Sequence, residues 1–331
     1  MKRKHWVDVL KGIGIILVVI GHVCPSCNFS KWIYTFHMPL FFSLSGYLWS
    51  LSVEQTVSFK QFLKSKKNIL FSFVLFRVLL VLYWLVVESH FRELDLGPIW
   101  FLIVLFVSET IAFLVLNRYR EKLISNALIF TVALVLLYIL KLLAVDESTG
   151  GAWIMRCVDG FMWYVAGHFM GVIIKKAHLC LKRYIKCVIL GTLMITSIIV
   201  CGANDYVSIW SNAFGNYGLF IVGGIVGSLF IALFCKWIFS TSRGIEFIGQ
   251  NSILILATHE PIKRVILKIT EIVAEVMCVD IKAETIKNNL GLSILVVVVV
   301  FSIEIIIIYM CRFIKKKMPL VIQDNLLTFV R

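Results

Sequence analysis

A chain of 331 residues that is 60% hydrophobic and only 16% charged carries more apolar surface than a soluble domain of that length buries, and it reads as a polytopic membrane protein. Its formal net charge of +14 does not point to nucleic acid, because the Lys and Arg residues fall in short segments between apolar runs rather than on one basic face. The partner implied by composition is the lipid bilayer.

A hydrocarbon core about 30 Å thick needs about twenty apolar residues per helical span. Ten segments meet this loosely, at 7–24, 33–52, 69–87, 99–117, 126–144, 157–174, 185–202, 216–238, 246–262 and 290–311. The expected fold is therefore an all-α bundle of about ten transmembrane helices. Pro261, Lys263 and Arg264 interrupt the ninth segment, so 265–279 reads as a separate amphipathic stretch at the outer interface. Met1 to Lys4 ahead of the first run, with no small-residue cleavage pattern after it, reads as a retained signal anchor.

Loop charge sets the expected orientation. Lys2 to Lys4, Lys60 to Lys67, Arg118 to Lys122, Lys175 to Lys186, Lys236 with Arg243, and Arg312 to Lys317 alternate with loops poor in Lys and Arg or balanced by acids. The alternation places both termini in the cytoplasm and makes the number of spans even. With no repeat and no appended soluble stretch in evidence, residues 1–331 read as a single membrane domain.

The first helix carries Asp8, Lys11 and His22 inside an otherwise apolar run. Ions and imidazoles at hydrocarbon depth are costly and mark candidate functional sites. Lys11 and His22 are eleven positions apart, about three full turns, and Asp8 projects within about 40° of His22, so one stripe holds all three. A neutral imidazole there can take a proton from a hydroxyl and return one to a leaving thiol. The bland alternative is a packed histidine bonded to a carbonyl. Cys24 and Cys27, at the outer end of this helix, have the spacing of a redox pair but read as two interfacial thiols.

His37 opens the expected second helix beside Pro39, at the outer side, as either a ligand contact or an interfacial cap. His259 lies about thirteen residues into the ninth segment, a depth like that of His22, so the two can face one cavity. Asn251 and Ser252 at the head of that helix join His37 and His259 as candidate substrate contacts. His168, flanked by small residues, reads as helix-packing glue. Lys64, Lys66 and Lys67, at the cytoplasmic mouth of the third helix, suit the phosphates of coenzyme A, although topology charge alone explains them too. The sequence holds no H-E-x-x-H, no G-x-S-x-G and no glycine-rich nucleotide fingerprint, and no metal is expected.

Trp6 to His22, Phe36 to Phe42 with Ser45-Gly46-Tyr47, and weaker echoes at Trp100 to Leu102, Phe161 to Gly171 and Ile248 to His259 resemble the integral-membrane acyltransferases of acyltransferase family 3. The family's basic residue, ten intervening positions and a histidine correspond to Lys11 and His22. Many members have Arg where this chain has Lys11, and Pro-Tyr where it has Phe71-Ser72-Phe73. The resemblance implies that His22 is the acyl-transfer histidine; by their place on the same stripe, Asp8 and Lys11 are expected to orient the helix-one site or meet the cofactor. The resemblance further implies acetyl-CoA supplied from the cytoplasm, and a surface polysaccharide or its lipid-linked precursor as acceptor at the outer face of a bacterial inner membrane. A flippase for a lipid-linked glycan is the competing expectation. Such a transporter calls for inverted repeats and paired broken helices, which the sequence does not show.

Overall fold

The computed structural model describes residues 4–52, 58–89, 96–177, 181–279 and 282–317. Lys2, Arg3, Glu93 and Asp95, part of the loop-charge pattern, lie outside them. Among the described residues are twelve α-helices and two short 3-10 turns: α1 (His5–Val23), α2 (Asn28–Ser50), α3 (Phe59–Val86), α4 (Trp100–Leu116), α5 (Leu123–Leu142), α6 (Thr149–Ala177), α7 (Arg183–Ala203), α8 (Tyr217–Trp237), α9 (Arg243–Gln250), α10 (Ser252–Val276), α11 (Ala283–Asn288) and α12 (Leu290–Lys317). No strand occurs among these residues beyond one bridge between Ser208 and Ala213. Among the described residues, eight helices are long and apolar enough to cross a membrane: α1, α3 to α8 and α12. The protein is thus an all-α polytopic membrane protein. The α2 and α10 helices, at 23 and 25 residues, reach spanning length with more polar sequences.

Two expected elements differ. The second helix starts at Asn28, so His37 lies well inside it and Pro39 is interior rather than initial. Proline removes a backbone donor, and membrane helices tolerate it where neighbours satisfy the freed carbonyls. The carbonyl freed by Pro39 is that of Thr35, four residues back, and at the next carbonyl along, that of Phe36, the Ser228 hydroxyl of α8 donates at 3.4 Å. The ninth segment is also redrawn. Its break falls at Asn251, and α10 then runs unbroken through Pro261, Lys263 and Arg264 to Val276. The expected amphipathic stretch at 265–279 is therefore largely the second half of one long helix.

The chain divides into two compact units. One comprises residues 1–7, 32–64 and 103–240, the other residues 8–31, 65–102 and 241–331. In the first, glycine lets backbones approach. A Cβ on Gly46 would land on the Tyr164 carbonyl of α6, and one on Gly167 would land on Ser43 of α2. The α7 and α8 helices form a hairpin in the same unit. Its turn is ordered by Asn204, whose side chain bonds the Phe214 carbonyl and the Asn216 amide, and α8 is capped by Asn216. Lys4, Lys175 and Lys236 gather at one end of this unit, where partial burial and then repulsion by Lys236 and Lys175 hold the Lys4 ammonium below the usual lysine range. Three of the basic segments thus share an end.

Candidate active site

The second unit is organised around α1 and α9–α10. The apolar run of α1 is broken by glycines, and Gly12 permits contact with α9: a Cβ there would strike the Ile245 carbonyl. From the other side, a Cβ on Gly249 would strike the Asp8 carbonyl. These contacts pin the start of α1 to α9. The fully buried Asn251 donates to the Phe247 carbonyl at 2.7 Å and so closes the end of α9 at the joint.

Beyond the joint, α10 brings Thr258, His259, Glu260, Lys263 and Arg264. Offsets of three and four residues place the acid and the two bases of this set on one side of a helix. The half-buried His22, in the last turn of α1, meets them. Its ring stacks on that of His259, with centroids 5.1 Å apart and planes inclined by 21°. The ligating atoms of His22, His259 and Glu260 all lie within 4.8 Å of one another.

A charge network surrounds this pair. Lys263 Nζ donates to Glu260 Oε2 at 2.7 Å and to the His22 carbonyl at 3.1 Å. That carbonyl is one of the orphan acceptors at a helix C-terminus, where a cation is also favoured by the dipole. Arg264 Nε donates to Glu260 Oε1, and its Nη1 to Glu88 Oε1, both at 3.2 Å. The Tyr83 hydroxyl donates to the same Glu88 oxygen at 3.0 Å. Two acids and two bases balance.

His259 is fully buried. Its Nδ1 lies 2.8 Å from the Ile255 carbonyl, and its Nε2 has no hydrogen-bond partner among the described residues. A carbonyl can only accept, so Nδ1 carries the proton and Nε2 presents a lone pair. Buried polar atoms are nearly always bonded, and an exception of this kind marks a site awaiting a donor. By distance, His22, His259 and Glu260 could hold a metal ion. Both Glu260 oxygens, however, already accept from Lys263 and Arg264, and a divalent cation would sit against the Lys263 ammonium. The donor set suits proton transfer better.

The structure does not bring every expected residue to this cluster. Asp8 and Lys11 lie on α1 about 21 Å and 16 Å of helix rise from His22. Asp8 is buried and Lys11 half-buried near the α9 contact. Asn251 closes the helix joint, and Ser252, half-buried, is the first residue of α10. In the other unit, the buried His37 bonds the Ile33 carbonyl at 3.1 Å and packs edge-on to Tyr34 at 4.8 Å. Lys64 and Lys67 are exposed and Lys66 is half-buried along the first turns of α3. Cys24 and Cys27 are free thiols. Cys27 Sγ lies 3.1 Å from Ser30 Oγ and 3.2 Å from the Cys24 carbonyl.

Sequence reasoning missed Glu88, Glu260, Lys263 and Arg264. Glu260 with Lys263 and with Arg264 forms the i,i+3 and i,i+4 acid–base pattern of a helix, and that signal was available. Glu304 is buried on α12, with Thr258 Oγ1 at 2.7 and 2.9 Å from its two oxygens.

Compared with known proteins, residues 4–310 match the family model of acyltransferase family 3, described as an acyltransferase domain. No curated protein and no solved structure matches the chain.

Proposed function

From the premise that the chain belongs to acyltransferase family 3, we propose that this membrane acyltransferase moves an acetyl group from cytoplasmic acetyl-CoA to a hydroxyl of a bacterial surface polysaccharide or its lipid-linked precursor. The observation that carries the reading is the stacked pair of His22 and His259, with a carboxylate in reach of both and a bare acceptor nitrogen on one. Acyl transfer needs a group that takes the hydroxyl proton as its oxygen attacks the thioester, and a proton for the departing thiolate. Imidazole serves both needs near neutral pH. The Lys263 bond to the His22 carbonyl holds the end of α1 against α10, so the two rings are positioned before substrate arrives.

The remaining assignments belong to this proposal. The donor enters from the basic ends of the helices, where lysines such as Lys64, Lys66 and Lys67 attract its phosphates. The acceptor approaches from the opposite, outer face of the bacterial inner membrane. Asp8 and Lys11, distant from the rings, serve the donor side or the α1–α9 contact rather than the proton transfer itself.

The test is mass spectrometry of the host's surface glycans with the wild-type protein, without it, and with His22→Ala, protein levels being matched. Acetyl groups present only with the wild type are expected. Glycan that stays fully acetylated without the protein removes the polysaccharide reading. Acetylation retained by His22→Ala keeps the enzyme and removes His22 from its centre.

A further inference from the structure

We infer that His259 is a second catalytic residue that divides the proton traffic with His22: His259 Nε2 takes the proton of the acceptor hydroxyl, and His22 gives one to the thiolate of coenzyme A. The inference rests on the acyltransferase reading above and assigns the chemistry of each ring.

Three observations carry it. First, the Ile255 carbonyl fixes the proton of neutral His259 on Nδ1, which leaves Nε2 bare, buried and without a partner among the described residues. That is the form of a base waiting for a donor, and a hydroxyl supplies one. Second, the rings lie face to face, 5.1 Å between centroids and 21° from parallel. Ring-nitrogen lone pairs and N–H bonds lie in the ring plane, so stacked imidazoles do not hand a proton directly to each other. Each must address a third group. Third, a Glu260 oxygen lies within 4.8 Å of a ligating nitrogen on each ring, and this negative charge steadies an imidazolium on whichever ring holds the extra proton.

The step balances. The acceptor oxygen bonds to the acyl carbon as its proton passes to His259 Nε2. The carbon–sulfur bond breaks, and the sulfur takes the proton of a positively charged His22. Between turnovers the surplus proton on His259 returns to His22 through water. The charged groups facing the pair are Glu260, Lys263 and Arg264 on α10 and Glu88 after α3, while Lys287 on α11 faces Lys263. Glu304 on α12 engages the neighbouring Thr258.

The experiment uses the full-length protein in proteoliposomes, radiolabelled acetyl-CoA and the host's membrane glycan fraction, with rates measured across pH. The informative variant is His259→Asn, because the Asn amide can still donate to the Ile255 carbonyl while nothing stands at Nε2. We expect a bell-shaped profile for the wild type. Its rising limb belongs to His259 losing a proton and its falling limb to His22 losing one. His259→Asn should lower turnover about 10²–10⁴-fold and abolish the rising limb, with its thermal unfolding unchanged; His22→Gln should abolish the falling limb. A folded His259→Asn that works within about threefold of wild type, or that keeps both limbs, overturns the inference while leaving the acyltransferase intact. Where His259→Asn does not accumulate, the wild-type and His22→Gln profiles decide, and a wild-type profile with a single limb overturns it. A wild type that transfers no label removes the functional reading itself, and the inference with it.

Discussion

Both units bury polar side chains, but they use them differently. In the unit built from α2 and α5 to α8, many of these groups are tied to backbone, although Trp163 Nε1 donates to Asp159 Oδ1 at 3.1 Å and Lys175 pairs with Glu121 at 3.2 Å. Arg120 Nη2 donates to the Trp49 carbonyl at 2.7 Å, and Asn126 Nδ2 reaches the Arg120 and Lys122 carbonyls at 2.9 and 2.8 Å. Arg156 Nε reaches the Trp210 carbonyl at 2.8 Å with its guanidinium 4.1 Å from that indole. His168 Nε2 lies 3.0 Å from the Arg120 carbonyl, its ring 4.6 Å from Trp49. In the unit built from α1, α10 and α12, polar side chains engage one another: Glu88, Arg264, Glu260 and Lys263 run as a chain up to two imidazoles. Side chains spent on carbonyls close helix ends and fix packing. Side chains that bond each other hold charges in place beside the two rings, and the lone pair left for a third party is on His259 Nε2.

Lys263 tests this distinction most severely. Lys263→Met removes both the ion pair to Glu260 and the bond to the His22 carbonyl, and it leaves a partly buried carboxylate with one cation fewer. Breaking a buried pair from one side costs about 3–5 kcal/mol, so a large fall in detergent-stabilised melting temperature is expected together with loss of acyl transfer. The double variant Glu260→Gln/Lys263→Met leaves no stranded charge and should recover more than half of that stability without recovering activity. A double variant as unstable as the single one would mean that the two side chains are not acting as a pair.

His168 sharpens the comparison from the other side. It is as buried as His259, and like His259 it has one ring nitrogen on a carbonyl and the other without a partner among the described residues, but its ring packs on the Trp49 indole rather than on a second imidazole. His168→Leu should therefore cost about 1 kcal/mol of stability and leave the rate of acyl transfer unchanged. A folded His168→Leu enzyme slowed tenfold or more would place chemistry in the unit whose polar groups are otherwise spent on packing.

Most of the fold was legible because hydrophobic runs of span length are a strong signal in a membrane protein, and the first, fourth, seventh and eighth expected spans end within about two residues of α1, α4, α7 and α8. The His22 and His259 encounter was legible as equal depth on two helices. The charge network was not, because Pro261, Lys263 and Arg264 look like a helix ending when each is judged by hydropathy. Packing against α1 and α12 and the pairing of acids with bases let α10 continue through them. The α2 start was missed for a similar reason: Asn28, Ser30 and Lys31 are polar, but they still form the first turn, with Ser30 buried. Asp8 and Lys11 share the helix face of His22 but lie about 21 Å and 16 Å of rise away from it. A shared face fixes direction around a helix, whereas contact also requires proximity along it.

The smallest expected effect separates glycines that packing requires from one it does not. A Cβ on Gly46 would fall on the Tyr164 carbonyl, a backbone atom that cannot yield without moving α6. A methyl group on Gly191 of α7, by contrast, would meet no heavy atom within 4 Å outside its own helical turn and chain neighbours. Alanine there meets no clash and removes backbone freedom from the unfolded chain, so Gly191→Ala should raise stability by about 0.5–1 kcal/mol, read as a small upward shift in melting temperature. Gly46→Ala should shift it downward by far more. If Gly191→Ala also destabilised the protein, the exposed face of α7 would have to be covered by something beyond this chain, and its glycine would belong with the packing glycines after all.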